Sequence, residues 1–381
     1  VLLLSLEAEA GEDPLAGVTW LNPRVSGVAS PPAEPPGKAD TDALRKRLQG
    51  LSVIVIVLDA ARARQFASYG YPRSTTLEID RLAREGIVFE QASSPASYTI
   101  SAMSSLWTSL PHDPPPHGIH VRGPLPPEHP TLAERLEARG IETFGAIANV
   151  NAGALVGLDR GFGAFARARG AEGRIAPRSE RLSDTLEPLL EKVGEGRFFG
   201  YVHFLEPHVP YHQPEPFVTL FGPDGPITEE ERYDIHWITA VNQRRRELDG
   251  ETHRQLVDLY DGNLAYVDRE VGRLRRQLED RGLLDLAPTL LDIFGLGNDD
   301  GSLEGQSLLP VLHGAPGRPT LLGRSMHERP SYSLRDGPDK LVYDTRTGRA
   351  ELYRIPEDRD ETRNLAAEEP ILTEYLRQSL L

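Results

Sequence analysis

Residues 51–62 read LSVIVIVLDAAR. Leu51 to Leu58 form an aliphatic, largely β-branched run without polar alternation. Such a run suits a strand buried on both faces, as in a parallel sheet covered by helices. Asp59 ends it. That places a carboxylate on the edge where open α/β sheets bind ligands, and a carboxylate there can hold a hard cation. A cap on a helix through AARAR is the plainer alternative. Working outward, IETFGAIAN at 141–149 and FFGYVHFL at 198–205 have the same strand character.

Helices are predicted between these runs. TLEIDRLAREG at 76–86 is a short helix with Gly86 at its C′ position. TLAERLEAR at 131–139 carries Thr131 and Glu134 in a capping-box arrangement and is closed by Gly140. A long helix covers about 252–281, with Leu256, Leu259, Val267, Val271, Leu274 and Leu278 mostly on one face and Gly282 as its stop. LLDLAPTLLDIFGL at 283–296 begins another, with Asp285 as N-cap and Pro288 in its first turn. DKLVYD and AELYRI, separated by TRTGR, signal a hairpin. The order predicts an α/β domain over 51–315 and a small C-terminal subdomain of an antiparallel hairpin and a helix over 316–381. Residues 1–50 read as a tail and linker, with the Pro-rich SPPAEPPGKADTD at 30–42.

Composition narrows the function. The 381 residues carry 42 Lys+Arg against 57 Asp+Glu, a net charge of −15, which disfavours nucleic acid as a partner. The absence of cysteine excludes disulfides, thiolate zinc sites and Cys nucleophiles. No window reaches the roughly 18 apolar residues of a membrane span. The opening VLLLSL reads either as the end of a removed signal or upstream membrane helix, or as a short apolar start without meaning. SSPASYTISAMSSLWTS at 93–109 holds nine Ser/Thr hydroxyls, any of which could serve as an activated nucleophile or simply line turns. Histidines cluster twice, as His112, His117 and His120, and as His203, His208 and His212. The second cluster shares the Asp59 edge if its strand runs parallel to the first.

VIVIVLDAAR, YGYPRSTT, IDRLAREGIVFEQASSPASYT, SSLWTSLPH and HGI occur in an order that resembles the opening half of the sulfatase family, within the alkaline-phosphatase-like superfamily. Phosphoglycerol and phosphoethanolamine transferases belong to the same superfamily. GLDRGFGAF, FFGYVHFLEPHVPY, LAYVDREVGRL, DLAPTLLDIFGL and RDGPDKLVYDTRTGRAELYRIPEDRDETRNLA are similar to later family segments, so the resemblance spans about 50–380. It implies an alkaline-phosphatase-like fold acting on sulfate or phosphate esters of small molecules, glycans or lipids. It further implies a divalent cation (Ca, Mn or Mg) and an extracytoplasmic, periplasmic or membrane-anchored location.

By the same resemblance Asp59 is the first metal-binding acid and Arg62 the arginine that follows it. Thr99 takes the nucleophile position and is a metal ligand. His208 contacts the transferred group, and His117 lies near the site. The sequence also departs from the family. Thr99 stands where sulfatases proper carry the Cys or Ser converted to formylglycine, which leans toward the phosphoryl-transferring branches. Met103 replaces the signature's Arg. The strand ending in Asp-His-Gly or Asp-Asn-Gly is missing, its flanking helices being joined at Leu283–Leu284–Asp285. The central sheet and the metal site are therefore expected to be incomplete. Two functions follow as expectations: a Thr-nucleophile hydrolase or transferase, and a catalytically silent relative or truncated piece of one.

Overall fold

The computed structural model describes residues 51–90, 92–110, 124–170, 178–194, 196–223, 225–242, 246–280, 320–325 and 331–380. The 1–50 linker, His112, His117, His120, the helix expected at 283–296, the Leu284–Asp285 junction and the 315/316 boundary lie outside these residues.

Four strands form a parallel sheet: β1 (Val53–Leu58), β2 (Glu142–Ile147), β3 (Ala164–Arg167) and β4 (Phe198–Phe204), in the order β1-β4-β2-β3. The unbroken apolar run in β1 has a direct cause. Val53, Val55 and Val57 join one core cluster, with Trp107, Phe199 and Tyr201. Ile54, Ile56 and Leu58 join a second on the opposite face, with Leu186, Leu264 and Val267. Both faces are covered, so neither can carry polar residues. Fully burying a large side chain of this kind contributes roughly 1.5–3 kcal/mol, and the half-buried ones of β1 contribute a part of that. β4 runs between β1 and β2, and all seven of its residues are buried. Gly200 within it leaves room for the Phe144 ring of β2, which a Cβ would meet at 2.5 Å. β1 is half-buried over five of its six residues and pairs only with β4 among the described strands.

The helices α1 (Leu77–Glu85), α2 (Thr99–Thr108), α3 (Leu132–Glu137), α4 (Ser179–Leu190), α5 (Glu229–Tyr233), α6 (Ile235–Asn242) and α7 (Gly250–Asp280) follow in chain order. α2 and α3 cover the first face through Trp107, Leu132 and Leu136. α4 and α7 cover the second through Leu182, Leu186, Leu264, Val267 and Val271. The Thr131/Glu134 capping box forms as expected, and Gly140 takes the left-handed φ of 73°. Gly86 does not: its φ of −119° is extended, so α1 ends without the expected left-handed C′ residue. None of the described helices is long and apolar enough to cross a membrane.

The C-terminal unit is larger than the expected hairpin. β5 (Thr320–Ser325), β6 (Ser331–Asp336), β7 (Asp339–Asp344) and β8 (Ala350–Arg354) form a four-stranded antiparallel sheet. α8 (Pro370–Leu380) packs on it through Leu376, against Leu334, Leu341 and Leu352. Arg64, five residues past Asp59, pairs with Asp360 of this unit.

Candidate active site

Asp59 leaves β1 at its carboxyl end, where its backbone N–H still donates to the Phe204 carbonyl of β4 at 3.1 Å. It caps no helix: the short 3-10 turn that follows, Ala63–Gln65, starts after Arg62. Its buried carboxylate is the hub of a compact cluster. The Thr99 hydroxyl donates to Asp59 Oδ2 and Oδ1 at 3.2 and 3.4 Å. Asn149 Nδ2 donates to Asp59 Oδ2, and to Thr99 Oγ1 at 3.4 Å. His203 Nε2 stands 3.2 Å from Asp59 Oδ2, and His203 Nδ1 meets the Tyr201 hydroxyl at 2.6 Å.

Local structure explains each position. Thr99 is the first residue of α2, so its hydroxyl sits at the positive end of that helix. The stretch 93–109, open between turn and catalytic readings, is thus a helix over 99–108. Asn149 follows β2, and its Oδ1 accepts from Asn151 N at 2.9 Å, which turns the amide NH2 toward Asp59. His203 and Tyr201 lie two residues apart on one face of β4. The parallel register pairs His203 with Val57 of β1. The carboxyl ends of three strands therefore converge here, as the parallel pairing of β1 and β4 requires.

Burial raises the Asp59 pKa, but the hydrogen bond and charge of His203, the Asn149 amide and the charge of His208 outweigh it, and the net shift is downward. Asp59 is thus an ionised acceptor at neutral pH. The His203 ring thus stands between the Asp59 carboxylate on one nitrogen and the Tyr201 hydroxyl on the other.

His208 lies four residues past β4, its N–H donating to Leu205 O at 3.0 Å and its Nδ1 meeting Val209 O at 2.5 Å. His212 is buried, with Nδ1 2.8 Å from Pro210 O. Arg62 is exposed; its backbone N–H donates to the Tyr260 hydroxyl at 2.8 Å and its carbonyl accepts from Gln65 N at 3.0 Å. Asp59 and Thr99 are thus brought together and His208 faces the same edge, whereas the Arg62 side chain is not drawn in. Asn149 and Tyr201 were not singled out from the sequence. The signal for Asn149 was present, since it follows a buried strand just as Asp59 does.

Beside this cluster, Glu206 is fully buried and accepts from Ser179 N at 3.0 Å and Ser179 Oγ at 2.6 Å. Burial pushes its pKa up to about 7, against the lowering effect of these hydrogen bonds. A folded-state pKa raised above the ordinary 4.5 gives a contribution to stability that is full below about 4.5 and lost as pH rises through about 7. Urea unfolding of wild type and Glu206→Gln from pH 5 to 8 checks this. The stability difference between the two should swing toward the variant as pH rises, by on the order of 3 kcal/mol. A parallel pH dependence would contradict it.

The match to a family model, rather than this geometry alone, gives the class: the alkaline-phosphatase-like ester hydrolases and transferases. Within that class the chain belongs to the sulfatase family, whose model matches residues 52–295. Solved structures agree in fold. BT4656, in complex with its substrate D-glucosamine-2-N,6-O-disulfate, aligns with a TM-score of 0.65 at 17% identity, covering 87% of this chain and 96% of that one. The phosphonate monoester hydrolase SpPMH of Silicibacter pomeroyi gives 0.65 at 15%, covering 87% and 94%. BT1596, a 2-O GAG sulfatase, gives 0.62 at 17%, covering 87% and 92%. No protein of curated function matches the chain in sequence.

The sulfatase family generally uses a divalent metal. The described residues do not fit one. Asp59 is the single carboxylate of the cluster among the described residues, and Asn149 turns donor hydrogens rather than its oxygen inward. No group of three or more His, Asp or Glu able to hold an ion occurs among the described residues. A hard divalent cation takes several converging oxygen ligands.

Proposed function

We propose that the chain is a hydrolase or transferase of sulfate or phosphate esters in which Thr99 is the nucleophile. The observation that carries this is the Thr99 hydroxyl donating to the Asp59 carboxylate at 3.2 Å on the carboxyl edge of the sheet. Thr99 Oγ1 attacks the phosphorus or sulfur atom, its proton passes to Asp59, and the bond to the leaving oxygen breaks. The departing oxygen keeps the bonding pair and takes a proton from solvent; water then attacks the Thr99 ester, and Thr99 Oγ1 leaves with its bonding pair and recovers its proton from Asp59. Asp59, ionised and held by Asn149 and His203, aims the hydroxyl's lone pairs at the substrate; a positioned proton acceptor of this kind contributes about 10²–10⁴-fold. The Asn149 amide and the positive end of α2 offset negative charge on the transferred group. His208, and Arg62 at the rim, bind that group, and His117 belongs to the same expected set. A threonine needs no oxidation to act, which favours phosphoryl over sulfuryl transfer. The substrates are small-molecule, glycan or lipid esters, in keeping with the sulfated sugar bound by BT4656 and the phosphonate monoesters hydrolysed by SpPMH.

The single carboxylate favours a second reading, a silent relative that binds such esters without turning them over. Assay of the full chain with 4-nitrophenyl phosphate, 4-nitrophenyl sulfate and a phenylphosphonate monoester separates the two. Turnover of any one supports the enzyme; binding without turnover of all three supports the silent relative. The resemblance also implies a divalent ion on Asp59 and Thr99. Repeating the assay after EDTA and after Mn²⁺ or Ca²⁺ addition reads this directly. A rate lost and then restored brings both residues into an ion site; an unchanged rate leaves the pair working alone. An extracytoplasmic location completes the proposal, and fractionation of cells expressing the full gene checks it.

A further inference from the structure

The backbone around Asp59 is held in an unfavourable shape. Leu58 O accepts from Ala61 N at 3.4 Å, closing a turn in which Asp59 and Ala60 are the central residues. Ala60 has a φ of +60°, the left-handed region that a residue with a Cβ seldom adopts. A turn with positive φ at its third residue ordinarily carries Gly or Asn there. Strain of this kind persists only where the surroundings impose it.

One side chain does so. The Tyr260 hydroxyl, on α7, donates to Ala60 O at 2.9 Å and accepts from Arg62 N at 2.8 Å. The phenol thereby brackets Ala61 on both sides and bridges about 200 residues of chain. Burial raises the phenol's pKa to about 12, so the hydroxyl keeps its proton to donate. α7 has independent anchors beside it. Arg73 pairs with Asp258 and Asp261 at 2.6 and 2.9 Å, and the Tyr71 hydroxyl donates to Asp261 at 2.6 Å. The Tyr260 hydroxyl is therefore spare as far as seating the helix is concerned.

We propose that Tyr260 is a positioning residue that holds the left-handed turn at Ala60 and so aims Asp59 at Thr99. The catalytic part of this inference rests on the function proposed above; the structural part does not.

Tyr260→Phe keeps the ring and removes only the clasp. Hydrogen exchange of the full chain should show the peptide carrying Ala61 and Arg62 exchanging at least about tenfold faster in the variant. The global unfolding midpoint should move little. If the wild type turns over any of the three aryl esters, kcat should fall about tenfold or more with KM nearly unchanged, because the misplaced group belongs to the nucleophile pair. Adding Ala60→Gly to Tyr260→Phe should recover most of the kcat loss, since glycine takes a positive φ without steric cost, while exchange stays fast because the Arg62 N–H still lacks its acceptor. Wild-type exchange in the Phe variant overturns the proposal even if no ester is ever turned over. So does a loss of activity that the glycine fails to recover. A wild type inactive on every ester defeats the functional reading alone, and the exchange result still decides the clasp.

Discussion

Thr99→Ala should abolish turnover. Removing an attacking hydroxyl eliminates the covalent route, and losses on the order of 10³-fold or more follow when a nucleophile is deleted. The fold should tolerate the change. Thr99 is partly buried at the first position of α2, its hydroxyl bonds lie within the polar cluster, and Ala is the best helix former. A melting point within a few degrees of wild type is expected, since substitutions away from core and caps seldom cost more than about 1 kcal/mol. Thr99→Ser, which keeps the oxygen, should stay within about tenfold of wild type. Steady-state kinetics with the aryl ester that turns over fastest, read beside thermal unfolding of each variant, checks all three statements. An Ala variant that loses activity only in proportion to lost stability would point away from a chemical role.

The second large effect concerns the fold. Gly161→Ala should destabilise the protein by about 3 kcal/mol or more and lower Tm by roughly 4–6 °C. Gly161 has a φ of +81°, and a Cβ there would fall 2.0 Å from Glu134 N and 2.4 Å from Glu134 Cα. These are backbone atoms in the first turn of α3, so no rotamer change relieves the contact. The segment cannot slide away either. Thr143 Oγ1 donates to Gly161 O at 2.7 Å and Thr131 Oγ1 donates to Arg160 O at 3.0 Å. Moving α3 would also disturb Leu132 and Leu136, buried under the first face of the sheet. Unfolding followed by circular dichroism reads the effect, and a variant as stable as wild type would show that this junction is looser than its contacts indicate.

What was legible in the sequence follows from how local each signal is. The run in β1 announces its two covered faces by itself, and Asp59 inherits its place from that strand. His203 was reachable by the same logic once the strand at 198–205 was read as parallel to the first. Thr99 was not reachable from pattern alone. Nine hydroxyls crowd residues 93–109, and Ser and Thr compete with the helix backbone, so the apolar spacing of Ile100, Met103 and Trp107 is diluted. Only the family resemblance singled out Thr99. Asn149 escaped notice because its neighbours Asp59 and Thr99 lie 90 and 50 residues away and meet it only after the sheet forms. β6 escaped for a plainer reason: SYSLRD is short and polar, and only Leu334 of it is buried.

The claim on which the functional reading stands is that the transferred group passes through Thr99. Acid-quenching the full chain during turnover of 4-nitrophenyl phosphate, digesting it and mapping the peptides by mass tests that claim most directly. One phosphoryl group on Thr99, absent from Thr99→Ala, is the predicted result. Turnover with the label on another residue, or undiminished turnover by Thr99→Ala, would contradict it.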